Sequence, residues 1–587
     1  MPSDGAKLAK GGRTFWFRDA IIYQIWPASF KDLNDDGMGD LQGIIASLDY
    51  IKSLGVNTLW LSPMYDSPQV DMGYDISDYQ AIYPPYGTMD DMDALIRGCH
   101  DRGIKILLDL VINHTSDQHR WFKESRASKQ SPKRDWYIWR PAKYDAEGKR
   151  HPPNNWRSNF NTPAWTWDEA TQEYYLHLFC PEQPDLNWTH DECRRTIYQE
   201  TMVYWLEKGV NGFRVDTVNM YSKPMDFPDA PVTDPGAETQ PAGMVYCNGP
   251  MMHTYLKEMG EILERYDAMT VGELPNTPQT ADVIRYVSAA SNELSQVFQF
   301  DLVDLGRLPE DIMQGRPFEL PEMKRTIDKW QRFTDGNDAW TTAFCENHDQ
   351  ARSISRFGSD KTPDDAVESG KLLALLNTSL SGTLYIYQGQ EIGMTNVPKT
   401  WGIEEYLDVN SINYYKSVEE RTGGDAKALA RALSGINSYG RDNARTPVQW
   451  TSEANGGFSK TPSTKPWMRT NDNYTSINVA AQQGDEASVL NFYRRAIELR
   501  KRHAAVLAKG RFELVDVDDA KLFKFVKRSQ GAGAGGEVAF VVLNFSGEEQ
   551  AYQVPDEVVG GKVIANTRLD GGKPGVLRAW EGRIYLA

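Results

Sequence analysis

The chain has 587 residues, 40% of them hydrophobic and 25% charged, with a formal net charge of −17. That length exceeds what one simple core serves and calls for a large barrel with appendages or for several domains. The acidity opposes nucleic acid and anionic lipid, whose phosphates it repels; with no membrane-length apolar run and no signal-like segment in MPSDGAKLAKGGRTFWF, a neutral ligand and the cytoplasm are expected.

In chain order, short apolar, β-branched runs fall at 19–27 (DAIIYQIWP), 57–63, 105–114 (KILLDLVINH), 211–218 (NGFRVDTV), 269–274, 294–301, 340–349 (WTTAFCENHD) and 383–393. Eight such runs predict eight strands. Helical patterns lie between several of them, at 41–55, 89–103 and 194–209, each closing on a glycine. The alternation predicts an α/β fold, a (β/α)₈ TIM barrel. Residues 115–190 are too long and too polar for a βα-loop and predict a small inserted domain after strand three. The barrel is thus expected over 1–114 and 191–508, with a polar excursion at about 394–467. Period-two alternation over 509–587, divided by a GAGAGGE turn, predicts a small antiparallel β-domain. The five cysteines are scattered and never in CxxC, so neither a disulfide framework nor a zinc site is expected.

The loop after the first strand, DLNDDGMGD (32–40), spaces oxygen donors at alternate residues. Against an EF-hand loop, Asp32, Asn34 and Asp36 fill positions one, three and five, Gly37 the sharp turn, the Met38 carbonyl position seven and Asp40 position nine. Position twelve is Gly43, so the closing bidentate glutamate is missing. A bound ion and a solvated acidic turn both remain open from the residues alone.

Several strands end on ionisable groups: Asn113-His114, Arg214-Val-Asp216, Gly272-Glu273 and Asn347-His348-Asp349. In a barrel these gather at the C-terminal rim, where barrel enzymes keep their active sites. Three carboxylates and two imidazoles without a Cys/His metal cluster suit acid–base and nucleophilic chemistry. Glycosidic bonds need a carboxylic acid for the leaving oxygen and a second carboxylate as nucleophile or base.

GFRVDTV (212–218), VGEL (271–274), ENHD (346–349), DLVINHT (109–115), QPDLN (183–187) and IIYQIWPASFKDLNDDGMGDLQGI resemble, in this order-sensitive set, the α-amylase superfamily of glycoside hydrolases. YDSPQVDMGYDISDY (65–79) and NGPMMHTYL (248–256) look like its oligo-1,6-glucosidase and maltase group, fungal α-glucosidases in particular. The resemblance implies a retaining exo-α-glucosidase acting on maltose, short malto-oligosaccharides and sucrose, with transglucosylation as a side reaction and no organic cofactor. Asp216 would be the nucleophile, Glu273 the acid and then the base, and Asp349 the carboxylate that holds the sugar hydroxyls. Arg214 would orient Asp216; His114 and His348 would bind hydroxyls, Tyr74 would stack on the glucose, and Asp71 and Arg441 would clamp its far end, with Arg445 competing for that role. Phe179 and Gln183 would line the pocket from the inserted domain. Thr217, where Thr accompanies α-1,4 and Val α-1,6 preference, would set linkage. Calcium would sit on Asp32, Asn34, Asp36, Met38 and Asp40 as a structural ion, although magnesium is not distinguished by the spacing. The alternatives are a sucrose isomerase or transglucosidase, an oligo-1,6-glucosidase, and a catalytically silent barrel that serves as a binding partner. After ENHD the chain reads QARSISRFGSD (350–360), which departs from the RLDRD-type loop of the isomerases and favours hydrolysis.

Overall fold

The structure, a computed structural model, describes residues 13–308, 311–530 and 536–587. Eight parallel strands form one sheet: β1 (Ile21–Ile25), β2 (Thr58–Leu61), β3 (Lys105–Leu110), β4 (Gly212–Val215), β5 (Met269–Glu273), β6 (Gln296–Phe298), β7 (Thr342–Ala343) and β8 (Thr383–Tyr387), in the order β6-β5-β4-β3-β2-β1-β8-β7. The Thr342 hydroxyl donates to the Val297 carbonyl at 3.1 Å and bridges the two outer members, β6 and β7, so the sheet closes on itself. This is the expected (β/α)₈ barrel. Strands β1, β2, β4, β5 and β8 are buried at every position, as a parallel barrel covered on both faces requires.

The expected strands run past the ladders. The 340–349 run pairs only at Thr342–Ala343, because Glu346, Asn347 and His348 are buried polar residues; Asn347 accepts the Asp349 N–H and Glu346 the Ser353 N–H, bonds that turn the chain out of register. Likewise β3 stops at Leu110 and β4 at Val215, so His114 and Asp216 lie just beyond their strands. The 41–55 helix is divided at Ser47, whose hydroxyl donates to the Gly43 carbonyl. The 194–209 helix contains a π-turn at Tyr198–Val203 and ends on Gly209 at φ 101°, a left-handed position that favours glycine.

Two excursions cover the C-terminal rim. After β3, Trp139–Arg140, Trp165–Asp168 and Glu173–Leu176 form a three-stranded antiparallel sheet. The long connection after β4 joins it: Gln240–Pro241 pairs with Trp156–Arg157, and Phe227, Ala230 and Tyr246 share a core with Trp156 and Trp165. The mouth domain is therefore built from two chain segments, and the 115–190 bounds omit the second. The 394–467 excursion carries an antiparallel helix pair, Val409–Thr422 and Ala426–Tyr439, packed with Met313 and Trp401. Beyond the barrel helix Val489–Arg502, five antiparallel strands (Arg511–Val515, Leu522–Arg528, Val538–Asn544, Lys562–Asn566 and Gly582–Leu586) form the C-terminal sheet. Residues 531–535 of the expected GAGAGGE turn lie outside the described residues. No helix of the described residues is long and apolar enough to cross a membrane.

Candidate active site

Arg214 is the hub of the rim. Its side chain, 1% exposed, projects from β4 into a space bounded by three carboxyl groups. One guanidinium nitrogen donates to Asp109 Oδ1 and Asp216 Oδ1, both at 2.6 Å, and the other lies 2.9 Å from Glu273 Oε1 as an ion-pair contact. A single guanidinium cannot neutralise three anions in a dry site, so a proton is retained among them. Burial, only partly offset by Arg214 and reinforced by Asp216 and Asp349, pushes Glu273 up to about 8. Burial likewise pushes Asp109 up to about 7 against Arg214, while the Trp60 indole donates to its other oxygen at 2.9 Å. A neutral Glu273 is still held in place, against Arg214 and by the Thr217 N–H. It thus combines a fixed position with a proton to give.

Thr217 joins the two central carboxyls. Its N–H donates to Glu273 Oε2 at 3.3 Å and its hydroxyl to Asp216 Oδ2 at 3.2 Å. The residue adopts φ 38°, ψ 46°, a costly conformation for a β-branched side chain, held here because Tyr221 also pins the Asp216 carbonyl at 2.9 Å.

The opposite end is closed by ion pairs. Arg445 donates to Asp349 Oδ1 at 2.8 Å and, through Nε, to the His348 carbonyl at 3.1 Å. Arg441 reaches Asp349 at 3.3 Å and Asp71 at 3.0 Å. Both guanidiniums meet on Asp408, whose Oδ1 accepts Arg441 Nε at 2.9 Å and Arg445 Nη1 at 3.4 Å. The two arginines hence divide the clamp between them: Arg441 faces the cavity and Arg445 braces it from behind. Burial raises the Asp349 carboxyl, but His348 and the two guanidiniums outweigh it and hold the group well below the usual carboxylate range. His348 accepts the Gln24 amide at Nδ1 (2.8 Å), so its Nε2 carries the hydrogen that faces Asp349 (3.0 Å) and the Tyr74 hydroxyl (2.6 Å). Burial, opposed by Asp349, pushes it down to about 4, leaving it neutral.

Between these two ends lies a cavity of about 160 Å³, room for about five waters at roughly 30 Å³ each and below the size of drug-like sites. Asp71, Tyr74, His114, Phe179, Asp216, Thr217, Glu273, Asp349 and Arg441 all line it. Arg214, Gln183 and His348 stand behind its wall. Gln183 donates to Asp71 at 3.2 Å, and His348 stacks on Tyr74 with centroids 5.5 Å apart and rings 9° from parallel. His348, expected as a hydroxyl ligand, therefore acts on the cavity in this structure by orienting Asp349 and Tyr74. Asn159, Phe160, Met220, Pro275 and Phe300 complete the lining; the sequence reading missed them.

The loop Asp32–Asp40 lies apart from this cavity. Its donors are all oxygens, which suits a hard cation in kind, and spare lone pairs remain on the Asp32, Asn34, Asp36 and Asp40 side chains. Each also works without a metal: Asp32 accepts the Asp35 and Gly37 N–H groups at 2.7 and 2.9 Å, Asp36 the Met38 N–H at 2.8 Å, and Asp40 the Leu33 and Gly43 N–H groups at 2.8 and 2.6 Å. Among the described residues no three His, Cys, Asp or Glu side chains converge as a ready metal cluster. A cation would meet a partly gathered site.

A family model described as the alpha amylase catalytic domain matches residues 24–510. The chain belongs to the α-amylase family. It is 52% identical to an alpha-glucosidase of Candida albicans over 574 residues, 97% of this chain and 99% of that protein. It is 46% identical to an oligo-1,6-glucosidase of Saccharomyces cerevisiae over 585 residues, 97% of this chain and 98% of the relative. Among solved structures it resembles an isomaltulose synthase mutant of Erwinia rhapontici NX5 in complex with sucrose, with a TM-score of 0.89 and 37% identity, covering 97% of this chain and 99% of that one. For an α-amylase family member, the residues missed from sequence have a common character. Asp408 comes from a loop with no periodic signal, Phe300 lies in the expected 294–301 run but beyond the end of β6 at Phe298, and only the isolated aspartate in the apolar run KILLDL hinted at Asp109.

Proposed function

We propose that this protein is an exo-acting α-glucosidase that removes terminal glucose from maltose, short malto-oligosaccharides and sucrose with retention of configuration. The observation that carries the reading is the small cavity, closed at one end by the Arg441–Asp71–Asp349 clamp and bearing Glu273 and Asp216 on its opposite wall. One terminal sugar ring fits, and a chain running through does not. Asp216 attacks the anomeric carbon while Glu273 gives its proton to the departing glycosidic oxygen. A glycosyl ester on Asp216 results. The Glu273 carboxylate then takes a proton from water as that oxygen displaces Asp216, and two inversions return the starting configuration. A shared guanidinium keeps Asp216 and Glu273 close, which favours the short carboxyl spacing of retaining enzymes over the wider one of inverting enzymes. Any hydroxyl that reaches the ester can replace water, so transfer to a second sugar accompanies hydrolysis.

Thr217 supports α-1,4 preference: its hydroxyl bonds the nucleophile Asp216 and its N–H the acid Glu273, beside the bond that is cut. The named relatives include both alpha-glucosidases and oligo-1,6-glucosidases, so overall identity does not decide linkage. Sucrose isomerisation is the second reading, favoured by the likeness to isomaltulose synthase. Against it, Arg352 of the segment after Asp349 turns inward, to Glu346 at 3.0 Å and the Gln388 carbonyl at 2.8 Å, and does not reach the cavity. In the loop Asp32–Asp40, calcium would add a structural clip through Asp32, Asn34, Asp36, Asp40 and the Met38 carbonyl, with no part in bond cleavage. The cytoplasm remains the proposed compartment.

The test is a panel of maltose, isomaltose, sucrose and trehalose, with Asp216→Asn as the control. Glucose release from maltose and sucrose, lost in the variant, is expected. Isomaltulose or trehalulose as the main sucrose product would favour the second reading, and equal, near-zero rates for both proteins would sink the enzymatic one.

A further inference from the structure

Lys223, in the connection after β4, is a buried cation that the proposed bond cleavage does not use. Its side chain is 1% exposed, and its three ammonium hydrogens have three acceptors: Asp185 Oδ2 at 2.8 Å, Asn113 Oδ1 at 2.9 Å and the Met220 carbonyl at 2.7 Å. These partners come from separate parts of the chain. Asn113 follows β3, Asp185 belongs to the inserted segment and also accepts the Leu178 N–H at 3.0 Å, and Met220 lines the sugar-sized cavity. Apolar residues of the same volume hold two segments together as well as a buried ion pair does. Only the charged pair also dictates the orientation of a neighbouring dipole.

That dipole is the Asn113 amide. Its oxygen faces Lys223, so its Nδ2 hydrogens point the other way, to Asp185 Oδ2 at 3.3 Å and to His114 Nδ1 at 3.2 Å. A turned amide would set Nδ2 against the ammonium and the oxygen against the Asp185 carboxylate, two repulsions at once. With the amide fixed, His114 Nδ1 faces a donor and must accept, which places the ring hydrogen on Nε2. Nε2 lies 3.1 Å from the Tyr74 carbonyl, a group that can only accept, and this agrees with the assignment. The Gln183 amide nitrogen, 3.2 Å from Nε2, does not need the ring: its own oxygen accepts the Cys180 N–H at 3.0 Å, and the nitrogen donates to Asp71 at 3.2 Å. The opposite tautomer would suit Gln183 but would meet Asn113 with a second donor and Tyr74 with a second acceptor. Nε2 is the edge of the ring turned to Tyr74 and Asp71, which line the sugar-sized cavity with His114.

We propose that Lys223, paired with Asp185, is a positioning residue for the glucosidase reaction: through Asn113 it holds the His114 hydrogen on Nε2, where a hydroxyl of the terminal sugar accepts it. The inference rests on the glucosidase reading, in which His114 meets that sugar, and adds the remote charge that decides which way His114 bonds. Lys223 does not line the cavity and acts through Asn113.

The test reads the ring and the reaction separately. In the intact protein the ¹⁵N shifts of the His114 ring, assigned by their loss in His114→Gln, should show a bare Nδ1 and a protonated Nε2. Asp185→Asn alone, in which Lys223 still holds the amide oxygen, should keep the hydrogen on Nε2. Asp185→Asn combined with Lys223→Met leaves no buried charge unpaired and lets the Asn113 amide turn. The hydrogen should then move to Nδ1, and KM for maltose should rise about tenfold or more as the hydroxyl bond is lost, with kcat changed far less. If the double variant fails to fold, Asn113→Asp, which sets a carboxylate oxygen where the amide hydrogens were, should put a hydrogen on Nδ1; a bare Nδ1 there overturns the relay. A purely structural pair predicts a lower melting temperature in the double variant with the tautomer and KM unchanged, and that result overturns the proposal. So does a hydrogen on Nδ1 in the parent, or a change of tautomer that leaves KM where it was. Failure of the glucosidase reading shows separately, as no glucose release by the parent, and the tautomers of the variants then still decide whether Lys223 sets the ring.

Discussion

Glu273 shows how burial sets chemistry at a single side chain. Its proton is needed for leaving-group protonation and is held up to about 8 by desolvation that Arg214 only partly offsets. The kcat/KM for maltose should therefore fall as pH rises through about 8, and Glu273→Gln should lower it by about 10²–10⁴ and abolish that limb. The same shift is a statement about stability. The folded group is raised from an ordinary 4.5, so its contribution is present below that value and is lost as pH rises through about 8. The melting temperature of Glu273→Gln should gain on the parent across this window; a gain that shrinks with pH would contradict the assignment. Thr217 makes a second residue-scale claim. Valine keeps its branched shape at φ 38° but loses the hydroxyl bond to Asp216, so Thr217→Val should shift the maltose-to-isomaltose preference towards isomaltose by about 1–3 kcal/mol of discrimination. An unchanged ratio in paired assays would remove Thr217 from the account of linkage.

At the scale of elements, the loop Asp32–Asp40 is a staple between β1 and the first barrel helix. Asp32, fully buried, also accepts the Ser459 hydroxyl at 2.7 Å, and Asp35 accepts the Thr461 N–H and hydroxyl, so the loop ties the start of the barrel to the segment after β8. Asp32→Ala leaves these buried donors unpaired and should cost about 1–3 kcal/mol, read by denaturant unfolding, while activity of the folded fraction is retained. If calcium clips the loop, chelation lowers the melting temperature without lowering turnover; an unchanged melting temperature would mean that the hydrogen bonds alone hold it.

The same scale shows what was legible in the residues. Strands made mostly of apolar residues, β1, β2, β5 and β8, could be read directly, because burial on both faces leaves few polar residues in them. Strand ends could not, since Glu346 and Asn347 look like strand continuation until their bonds to Ser353 and Asp349 are seen. The rim carboxylates Asp216, Glu273 and Asp349 stood out because ionisable groups closing apolar runs are conspicuous. Asp408 did not: it caps the helix Val409–Thr422, an ordinary local role, and its second role on Arg441 and Arg445 exists only in three dimensions. Phe160 and Phe300 were hidden for the same reason, as loop aromatics whose neighbours come from distant segments.

At the scale of the molecule, barrel and C-terminal sheet share one core. Phe523, Phe525, Val541 and Leu543 pack with Leu372, Leu375 and Leu490, and a Cβ on Gly582 would come within 2.7 Å of Leu543 and 3.0 Å of Leu372. Lys324 adds polar anchors, donating to the Asp516, Asp519 and Leu522 carbonyls at 2.6 to 2.9 Å. Calorimetry should therefore show barrel and sheet melting in one transition, and a separate early transition removed by truncation after residue 508 would contradict a common core. The whole assembly serves one arrangement, a closed sugar-sized cavity with a protonated Glu273 and Asp216 on one guanidinium. The most direct test of that arrangement is the anomer of glucose first released from maltose, followed by proton NMR before mutarotation. α-Glucose should appear first, and its release should be lost in Asp216→Asn; β-glucose first would rule the arrangement out.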